Sequence, residues 1–570
     1  MSLFPAPISE DIWSRKYRFG AEAGIADTWC RVAKAVASVE LREQDRWERA
    51  FADLLADYRF LPGGRILANA GTARNATLLN CFVMGTLDDS IDGLFHALRE
   101  SAITLQQGGG IGLDFSPIRP AGMAAKRTGN IATGPVSFMQ LWDAMCETIT
   151  ADRARRGAMM GVLRCDHPDI EAFIDAKAGS GRLSRFNLSV LVTDDLIRAV
   201  NAGADWPLVF KGQTVRTVKA AALWEKILRS AYESGEPGVL FIDRINQQNN
   251  IGYAETIHAS NPCGEVPLPP YGACDLGSIN LTRFVSRPFA PEVSFDFAGV
   301  EAAAFLAVRF LDNVLDASHY PLKAQADQAK AGRRVGLGIT GLADALVMQG
   351  LAYDSNDGRQ FAARVLGTMR NAAYEASVAL AEEKGSCPLF RAEAFLDRPF
   401  TRCLPQELRR AIREKGVRNS HLLAIAPTGS ISLLAGNVSA GIEPVFSALT
   451  NRRIRRLDGT FEEVDVEDHA FRMWRLAGGK GLPPAFVTAG DLSAEAHLAM
   501  QETAQGFVDN AISKTINADA DIPFEAFATV YRQAYARGLK GCTVYRSGSR
   551  GGPDVLTPVA EGAYCTSDTC

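Results

Sequence analysis

The stretch Asn261-Pro262-Cys263-Gly264-Glu265 places a carboxamide, a thiol and a carboxylate within five residues. Pro262 and Gly264 disfavour a helix interior, and residues 267–272 carry three more prolines. We therefore predict a tight, stiffened loop that holds the three reactive groups close together. The alternative from these residues alone is a turn around a buried structural cysteine, because free cysteine often packs as a small apolar residue.

Other cysteines lie far from this loop along the chain. Cys81 and Cys274 fall in apolar surroundings, whereas Cys565 and Cys570 end a Gly/Ser/Pro-rich tail that starts at residue 547. The 11 cysteines include no Cys-x-x-Cys pair, so we expect no metal site of the zinc-ribbon type. Two thiols on a flexible tether suit disulfide exchange with a buried partner, and the alternative is that they are fortuitous.

Composition limits the class of protein. A chain of 570 residues predicts one large barrel-like domain with additions, or two to three domains. A net charge of -4 gives no reason to expect nucleic acid or a membrane surface as a partner. The N-terminus has no signal-peptide pattern and no apolar run reaches membrane-spanning length, so we expect a cytoplasmic protein.

Apolar periodicity predicts helices over residues 8–60 and short buried strands farther along the chain. Strands interleaved with helices indicate an α/β fold, with a barrel favoured over an open sheet. We divide the chain into an N-terminal helical region, 1–75, a barrel domain, 76–546, and a flexible tail, 547–570. The strands are predicted near residues 81–84, 158–163, 186–192, 239–242, 335–339 and 422–426.

Two glycine-containing segments have the composition of phosphate-binding loops. Residues 107–115 contain consecutive glycines, including Gly109 and Gly110, which let backbone amides approach a ligand closely. The apolar segment 422–426 leads into Pro-Thr-Gly-Ser-Ile-Ser at 427–432, a strand-to-helix turn that presents amides to phosphate. The alternative for each is an ordinary tight turn, and neither is a Walker A loop.

Together these parts indicate a reaction class. A dithiol supplies two electrons, a nearby carboxylate can act as a general base, and a phosphate cradle implies a phosphorylated substrate such as a nucleotide. We therefore predict reduction of a nucleotide by protein thiols, with the tail cysteines regenerating the reductant.

Long segments of the chain resemble the catalytic subunit of ribonucleotide reductases, most closely the adenosylcobalamin-dependent class II form. The resemblance covers residues 61–546. The segments that carry it are PGGRILANAGT, NCFVMGTLDDSIDGL, QQGGGIGLDFSPIRP, RRGAMMGVLRCDHPDIEAFI, FNLSVLVTDD, NPCGE, PTGSIS, GNVSAGIEP and LKGCTVYR.

The resemblance implies a fold and a set of catalytic residues. The fold would be a ten-stranded α/β barrel of two antiparallel five-stranded parallel halves, with the Cys263 loop as a central finger. Adenosylcobalamin would generate a thiyl radical on Cys263, which abstracts the ribose 3′-hydrogen. The other implied roles are proton acceptor for Glu265, ribose hydrogen bonding for Asn261, reducing dithiol for Cys81 and Cys274, and transfer to a thioredoxin-like partner for Cys565 and Cys570.

Binding residues follow from the same resemblance. The substrate, expected to be a ribonucleoside diphosphate, would contact Thr72, Gly109, Gly110, Thr428, Gly429, Ser430, Ile431 and Ser432. A dNTP or ATP specificity effector would bind Asp89, Arg119 and Lys126, and the loop 177–185 would relay its identity. A homodimer is expected, because the effector site of most relatives lies at a dimer interface.

The radical source separates the classes within this family. The metal-partnered class I form would show adjacent tyrosines where residues 541–546 have only Tyr545. No glycyl-radical segment occurs, and no Asp-x-His-x-x-Gly motif is present to supply a cobalt ligand, so the cofactor-contacting residues stay unassigned. The alternatives are a class I large subunit or a non-catalytic nucleotide-binding paralogue, and the intact set of chemical residues disfavours the latter.

Overall fold

Helices surround a central sheet in the computed structural model, which describes residues 4–124, 131–150, 158–178, 182–455, 461–549 and 556–558. In chain order the helices are α1 (Pro7–Lys16), α2 (Ile25–Ala37), α3 (Gln44–Leu55), α4 (Gly64–Asn69), α5 (Ile91–Gln106), α6 (Pro135–Thr150), α7 (Ile170–Ile174), α8 (Asp194–Asn201), α9 (Ala220–Ser234), α10 (Ile242–Gln247), α11 (Phe297–Ala317), α12 (Lys323–Gly332), α13 (Leu342–Met348), α14 (Asn356–Lys384), α15 (Ala392–Leu396), α16 (Pro399–Arg402), α17 (Gln406–Lys415), α18 (Gly429–Leu434), α19 (His469–Leu476), α20 (Ala494–Gln505) and α21 (Phe524–Ala536).

The central sheet has ten strands. They are β1 (Phe60–Pro62), β2 (Cys81–Val83), β3 (Gly110–Asp114), β4 (Met159–Arg164), β5 (Phe186–Val192), β6 (Gly238–Phe241), β7 (Ala273–Asn280), β8 (Val335–Thr340), β9 (Thr515–Ala518) and β10 (Gly541–Arg546). Smaller sheets are formed by 205–210 with 213–219, 259–260 with 267–268, 285–286 with 294–295, and 449–455 with 461–467 and 556–558.

The strand directions divide the sheet into two sets. Strands β2 to β6 are parallel neighbours in chain order. At one side β7 pairs antiparallel with β2 and parallel with β8, and at the other β10 pairs antiparallel with β6 and parallel with β9. The predicted α/β architecture with two antiparallel sets of parallel strands is confirmed, and the short strand β1 adds to β7 from outside both sets.

Residues 422–426, predicted as a strand, form single bridges on both sides in place of a regular ladder. Leu423 bridges to Leu337 of β8, and Ile425 bridges to Ile512 just before β9. The side chain of Asp509 accepts hydrogen bonds from the backbone amides of Leu422 (2.9 Å) and Leu423 (2.8 Å), which removes those donors from a ladder. The regular ladders therefore leave the sheet open between β8 and β9, and this segment spans the opening.

Several strands of the central sheet are buried along their whole length. Every residue of β7 and of β8 is buried, as expected for parallel strands covered by helices. The predicted N-terminal helices are present as α1 to α3, and their apolar positions, such as Val32 and Phe51, are buried. Among the described residues, no helix combines the length and the apolar character needed to cross a membrane.

Candidate active site

The loop that carries Cys263 is the tip of a short hairpin. Its arms, Ala259–Ser260 and Pro267–Leu268, pair antiparallel. Inside the tip, the Gly264 amide donates to the Asn261 carbonyl (3.0 Å), and the Val266 amide donates to Asn261 Oδ1 (2.9 Å). Gly264 has a φ of +83°, a conformation that favours glycine. The tight loop predicted from the proline and glycine pattern is therefore present.

This hairpin is fixed against strands of both sets. A Cβ added to Gly112 of β3 would lie 2.0 Å from the Ser260 carbonyl oxygen, so only glycine allows this approach. Asn187 of β5 donates from Nδ2 to the Pro262 carbonyl (2.8 Å). The Ala511 amide, near β9, donates to the Glu265 carbonyl (2.9 Å). The position of the thiol and the carboxylate is thus set by the sheet rather than by the loop alone.

Glu265 is 2% exposed and lies against Cys81. The Cys81 thiol donates to Glu265 Oε1 at 3.9 Å, and Asn261 Nδ2 donates to Cys81 Sγ at 3.2 Å. Burial raises the pKa of Glu265 to about 7. Its second oxygen, Oε2, has no hydrogen-bond partner among the described residues and is therefore available to accept a proton from a ligand.

Cys81 and Cys274 face each other across the antiparallel pair β2 and β7. Directly paired antiparallel residues have Cα atoms about 4.5–5.5 Å apart. This spacing falls inside the range of about 4.4–6.8 Å that disulfides use. Burial raises the pKa of both thiols well above the ordinary value, and for Cys81 the nearby Glu265 carboxylate raises it further. Both groups are thus protonated thiols at neutral pH, placed to close into a disulfide.

A cavity of about 360 Å³ collects most of the predicted site residues. Cys263 is exposed and lines this space beside buried Asn261 and Glu265. Predicted residues that line it are Cys81, Gly109, Gly110, Asn261, Cys263, Glu265, Thr428, Gly429, Ser430 and Ile431. Among the described residues, three that were predicted for catalysis or substrate binding do not line it. Cys274 is paired with Cys81 across β7 and β2, the Thr72 hydroxyl donates to the Asn69 carbonyl (2.8 Å), and Ser432 lines a second cavity.

The segment 427–432 contains the start of the short helix α18, which begins at Gly429 after Thr428. Thr428 has a φ of +50°, and its hydroxyl accepts from the Gly441 amide (3.1 Å) and lies 3.0 Å from the Thr340 hydroxyl. A Cβ added to Gly429 would meet nothing within 4 Å, so the space beside this residue is open. The first amides of α18 have no partner within the helix, as at any helix start, and are available to an anion in the cavity.

Sequence reasoning did not identify Arg65 and Asn80 as residues of this cavity. Both residues line it. The Oδ1 atom of Asn80 is buried without a hydrogen-bond partner among the described residues. The signals available in the sequence were a cation directly after two glycines and an asparagine directly before Cys81.

A second, larger cavity of about 1690 Å³ reaches Cys263 from another side. It also shares Pro427 and Gly429 with the first cavity. Lys540 lines it, and its ammonium group donates to the carbonyls of Asp509 (2.6 Å) and Asn510 (2.5 Å). Burial lowers the pKa of Lys540 to about 7. Cys263 is therefore the thiol that both cavities have in common.

Two of the predicted effector residues form one ion pair. Arg119 Nε donates to Asp89 Oδ1 at 2.9 Å, and Lys211 Nζ lies 3.1 Å from Asp89 Oδ2. Burial alone would raise the pKa of Asp89, but the hydrogen bonds from Arg119 and Lys211 outweigh it and lower the pKa. Predictions that fall outside the described residues are those for Lys126, Cys565, Cys570 and residues 179–181 of the relay loop. Within the described part of the chain, no cluster of three or more metal-ligating side chains occurs.

Comparison with known proteins gives consistent matches along the chain. The family profile described as "Ribonucleotide reductase, barrel domain" matches residues 79–545, and "Ribonucleotide reductase, all-alpha domain" matches residues 3–75. A vitamin B12-dependent ribonucleoside-diphosphate reductase of Mycobacterium tuberculosis (strain CDC 1551 / Oshkosh) is 38% identical over 95% of this chain and 78% of its own length. The protein of the same name from Thermoplasma acidophilum is 32% identical over 96% of this chain and 71% of its own length. A ribonucleoside-diphosphate reductase large subunit of vaccinia virus is 27% identical over 72% of this chain.

Proposed function

Because this chain belongs to the ribonucleotide reductase family, we propose that it reduces ribonucleoside diphosphates to 2′-deoxyribonucleoside diphosphates with adenosylcobalamin as radical source. The observation that carries the proposal is one cavity lined by Cys81, Asn261, Cys263 and Glu265 together with the turn at 428–431. Relatives that cover most of this chain are named vitamin B12-dependent, which favours class II over the metal-partnered class I.

Each side chain of the site has a separate role in the proposed reaction. Cys263, as a thiyl radical, takes the hydrogen atom from C3′ of the ribose, and the unpartnered Oε2 of Glu265 accepts the proton of the 3′-hydroxyl. Asn261 holds the ribose. The 2′-hydroxyl leaves as water, and Cys81 and Cys274 supply two electrons and two protons as they close to a disulfide. The thiol of Cys263 returns its hydrogen to C3′, so the balance is one nucleotide and two thiols to one deoxynucleotide, one disulfide and one water.

The second cavity fits a cofactor larger than a nucleotide. Its volume of about 1690 Å³ exceeds the roughly 300–1,000 Å³ of ordinary small-molecule sites, and Cys263 lies on its wall. Residues that would hold the cofactor include Ser432, Lys514 and Lys540. When bound there, adenosylcobalamin supplies the unpaired electron that starts each turnover. The protein's part is to keep Cys263 accessible from this side and to shield it from water.

We propose that the tail regenerates the reductant. The strand 556–558 pairs with residues 450–452, and the side chains of Thr450 and Arg452 line the second cavity. This pairing supports the proposal, because residues 556–558 lie next to residues that line the second cavity, and Cys263 also lines that cavity. A thioredoxin-like protein would then reduce the tail pair.

A homodimer with a dNTP or ATP effector is part of the same proposal. Helix α5 exposes Ile91 (63%) and Phe95 (53%), which are four residues apart and so share one face. Asp89 and its partner Arg119 lie at the start of this helix, where Ser90 caps it. An apolar face beside a cluster of charged groups suits a second copy of the chain with an effector bound at the edge of the interface.

The deciding experiment uses the purified protein alone with adenosylcobalamin, a small dithiol and a ribonucleoside diphosphate. The proposal predicts deoxyribonucleotide formation without any second subunit. Product that appears only after addition of a metal-containing subunit would establish the class I alternative. Nucleotide binding without turnover under either condition would identify a non-catalytic paralogue.

A further inference from the structure

Arg65 brings a positive charge into the substrate cavity. Among the described residues that line this cavity, Arg65 and Glu265 are the ones with ionisable charged side chains. The location of the guanidinium is defined by Gly108. A Cβ added to Gly108 would lie 2.9 Å from Arg65 Cζ and 3.0 Å from Nη1, so the guanidinium packs directly against this glycine. Gly108 has a φ of +102°, which also favours glycine at this position.

Strand register places Arg65 and the turn at 428–431 at the same end of the cavity. Gly108 lies just before β3, whose first residue, Gly110, is paired with Cys81, the first residue of β2. Strands β7 and β8 run opposite to β2 and β3, and both continue past the Cys81–Cys274 pair, the level at which β2 begins. The segment 422–426 runs parallel to β8 and leads to Thr428. The starts of β2 and β3 and the end of that segment therefore point to the same end of the sheet, and Arg65 and residues 428–431 line one cavity.

We infer that Arg65 is a substrate-positioning residue that pairs with the diphosphate group of the ribonucleotide. This inference rests on the proposed function, because it names the group at one end of the proposed substrate. The turn at 428–431 offers neutral backbone and hydroxyl donors, which leave the charge of a diphosphate uncompensated. An arginine fork matches phosphate oxygens two at a time and keeps its charge at every relevant pH.

If Arg65 only packed against Gly108 and did not bind phosphate, its substitution would have a different effect. Packing against Gly108 would support the loop 107–110 equally for every ligand. Pairing with phosphate affects only ligands that carry phosphate. Binding measured without the cofactor separates the two roles, because it does not depend on turnover.

The test measures dissociation constants of a ribonucleoside diphosphate and of the matching unphosphorylated nucleoside by equilibrium dialysis. For Arg65→Met we expect diphosphate binding to weaken about 10- to 100-fold, the range of one hydrogen-bonded charge, with nucleoside binding unchanged. Arg65→Lys, which keeps the charge but not the fork, should recover part of the loss. The control Arg74→Met changes an exposed arginine outside the cavity and should bind like the wild type.

Each result bears on the inference. Diphosphate binding by Arg65→Met within about twofold of the wild type would overturn it. An equal loss for nucleoside and diphosphate would also overturn it, because that pattern belongs to packing. If the wild-type protein itself bound no ribonucleoside diphosphate, the proposed function would fail first. That result can be distinguished from a failure of the Arg65 inference, because it is seen with the wild-type protein alone.

Discussion

At the scale of single residues, the burial of Glu265 determines the chemistry. An exposed glutamate would be ionised at neutral pH and would be a weak base. Burial raises the pKa of Glu265 to about 7, because the carboxylate loses its hydration and gains no cation in the described structure. Within the described part of the chain Oε2 has no hydrogen-bond partner, so the group is both basic enough and available to a ligand.

This environment predicts a pH dependence. Below about pH 7 Glu265 is protonated and cannot accept the 3′-hydroxyl proton, so kcat/KM should rise as pH increases through about 7. Glu265→Gln should lower activity at least about 100-fold and abolish this rise. The measurement is kcat/KM from pH 5.5 to 8.5, and a wild-type profile that is flat across this range would contradict the assignment.

The raised pKa of Glu265 should also make the stability of the fold depend on pH, in a direction that can be predicted. Because the folded-state pKa of Glu265 lies above its ordinary value, its contribution favours folding below pH 4.5 and is lost as pH rises through about 7. The glutamine of Glu265→Gln does not ionise, so this variant does not lose stability in this way as pH rises. Denaturant unfolding of both proteins at pH 5 and pH 8 should therefore show the variant gaining relative stability at the higher pH.

The residues of the site differ in how well their roles could be predicted from the sequence. Asn261, Cys263 and Glu265 are adjacent, so their spacing alone predicted a shared loop. Cys81 and Cys274 face each other because of the register between two strands, and no local sequence pattern reveals that register. Their role as a pair was predicted only from the family resemblance. Arg65 was missed because its importance comes from Gly108, a residue distant in sequence whose missing side chain makes room for the guanidinium.

At the scale of elements, the Cys263 hairpin depends on one glycine. Gly112→Ala would place a methyl group 2.0 Å from the Ser260 carbonyl oxygen, so the hairpin must shift. We expect the free energy of unfolding to fall by about 1–3 kcal/mol and kcat to fall more than the affinity for substrate. Chemical denaturation and steady-state kinetics measure the two effects.

Gly506→Ala is the matched control. Gly506 ends α20 with a φ of -63°, and its added Cβ would have no neighbour closer than 3.6 Å. Its free energy of unfolding should change by less than about 1 kcal/mol. Equal behaviour of the two alanine variants would show that β3 does not fix the hairpin.

The elements also show where pattern reasoning stops. Strand β3 lies within residues 107–115, for which the glycines predicted only a loop or a tight turn. Strands β4 and β5 were predicted from apolar runs, and these runs are buried in the structure. Residues 422–426 have the same apolar character but form only single bridges, because the distant Asp509 side chain takes two of their amides. A side chain that replaces a ladder partner leaves no trace in the apolar pattern.

At the scale of the whole molecule, the exposed face of α5 predicts self-association. Phe95→Glu should shift the protein toward monomer and weaken binding of dTTP, since we place the effector beside this face. Phe305→Glu changes another exposed phenylalanine (44%), on α11, and serves as the control. Gel filtration with and without dTTP measures both effects, and a Phe95→Glu protein that dimerises like the wild type would place the interface elsewhere.

The central claim is that Cys263, between the two cavities, is the residue that reacts with the substrate as a radical. Electron paramagnetic resonance of samples frozen during turnover tests it directly, with protein whose cysteines carry deuterium at the β-carbon. We predict a sulfur-centred signal that narrows on deuteration. Cys263→Ala should lose both this signal and all turnover. Cys403→Ala removes another exposed thiol and should keep the signal. The same signal, or deoxyribonucleotide formation, in Cys263→Ala would contradict the account.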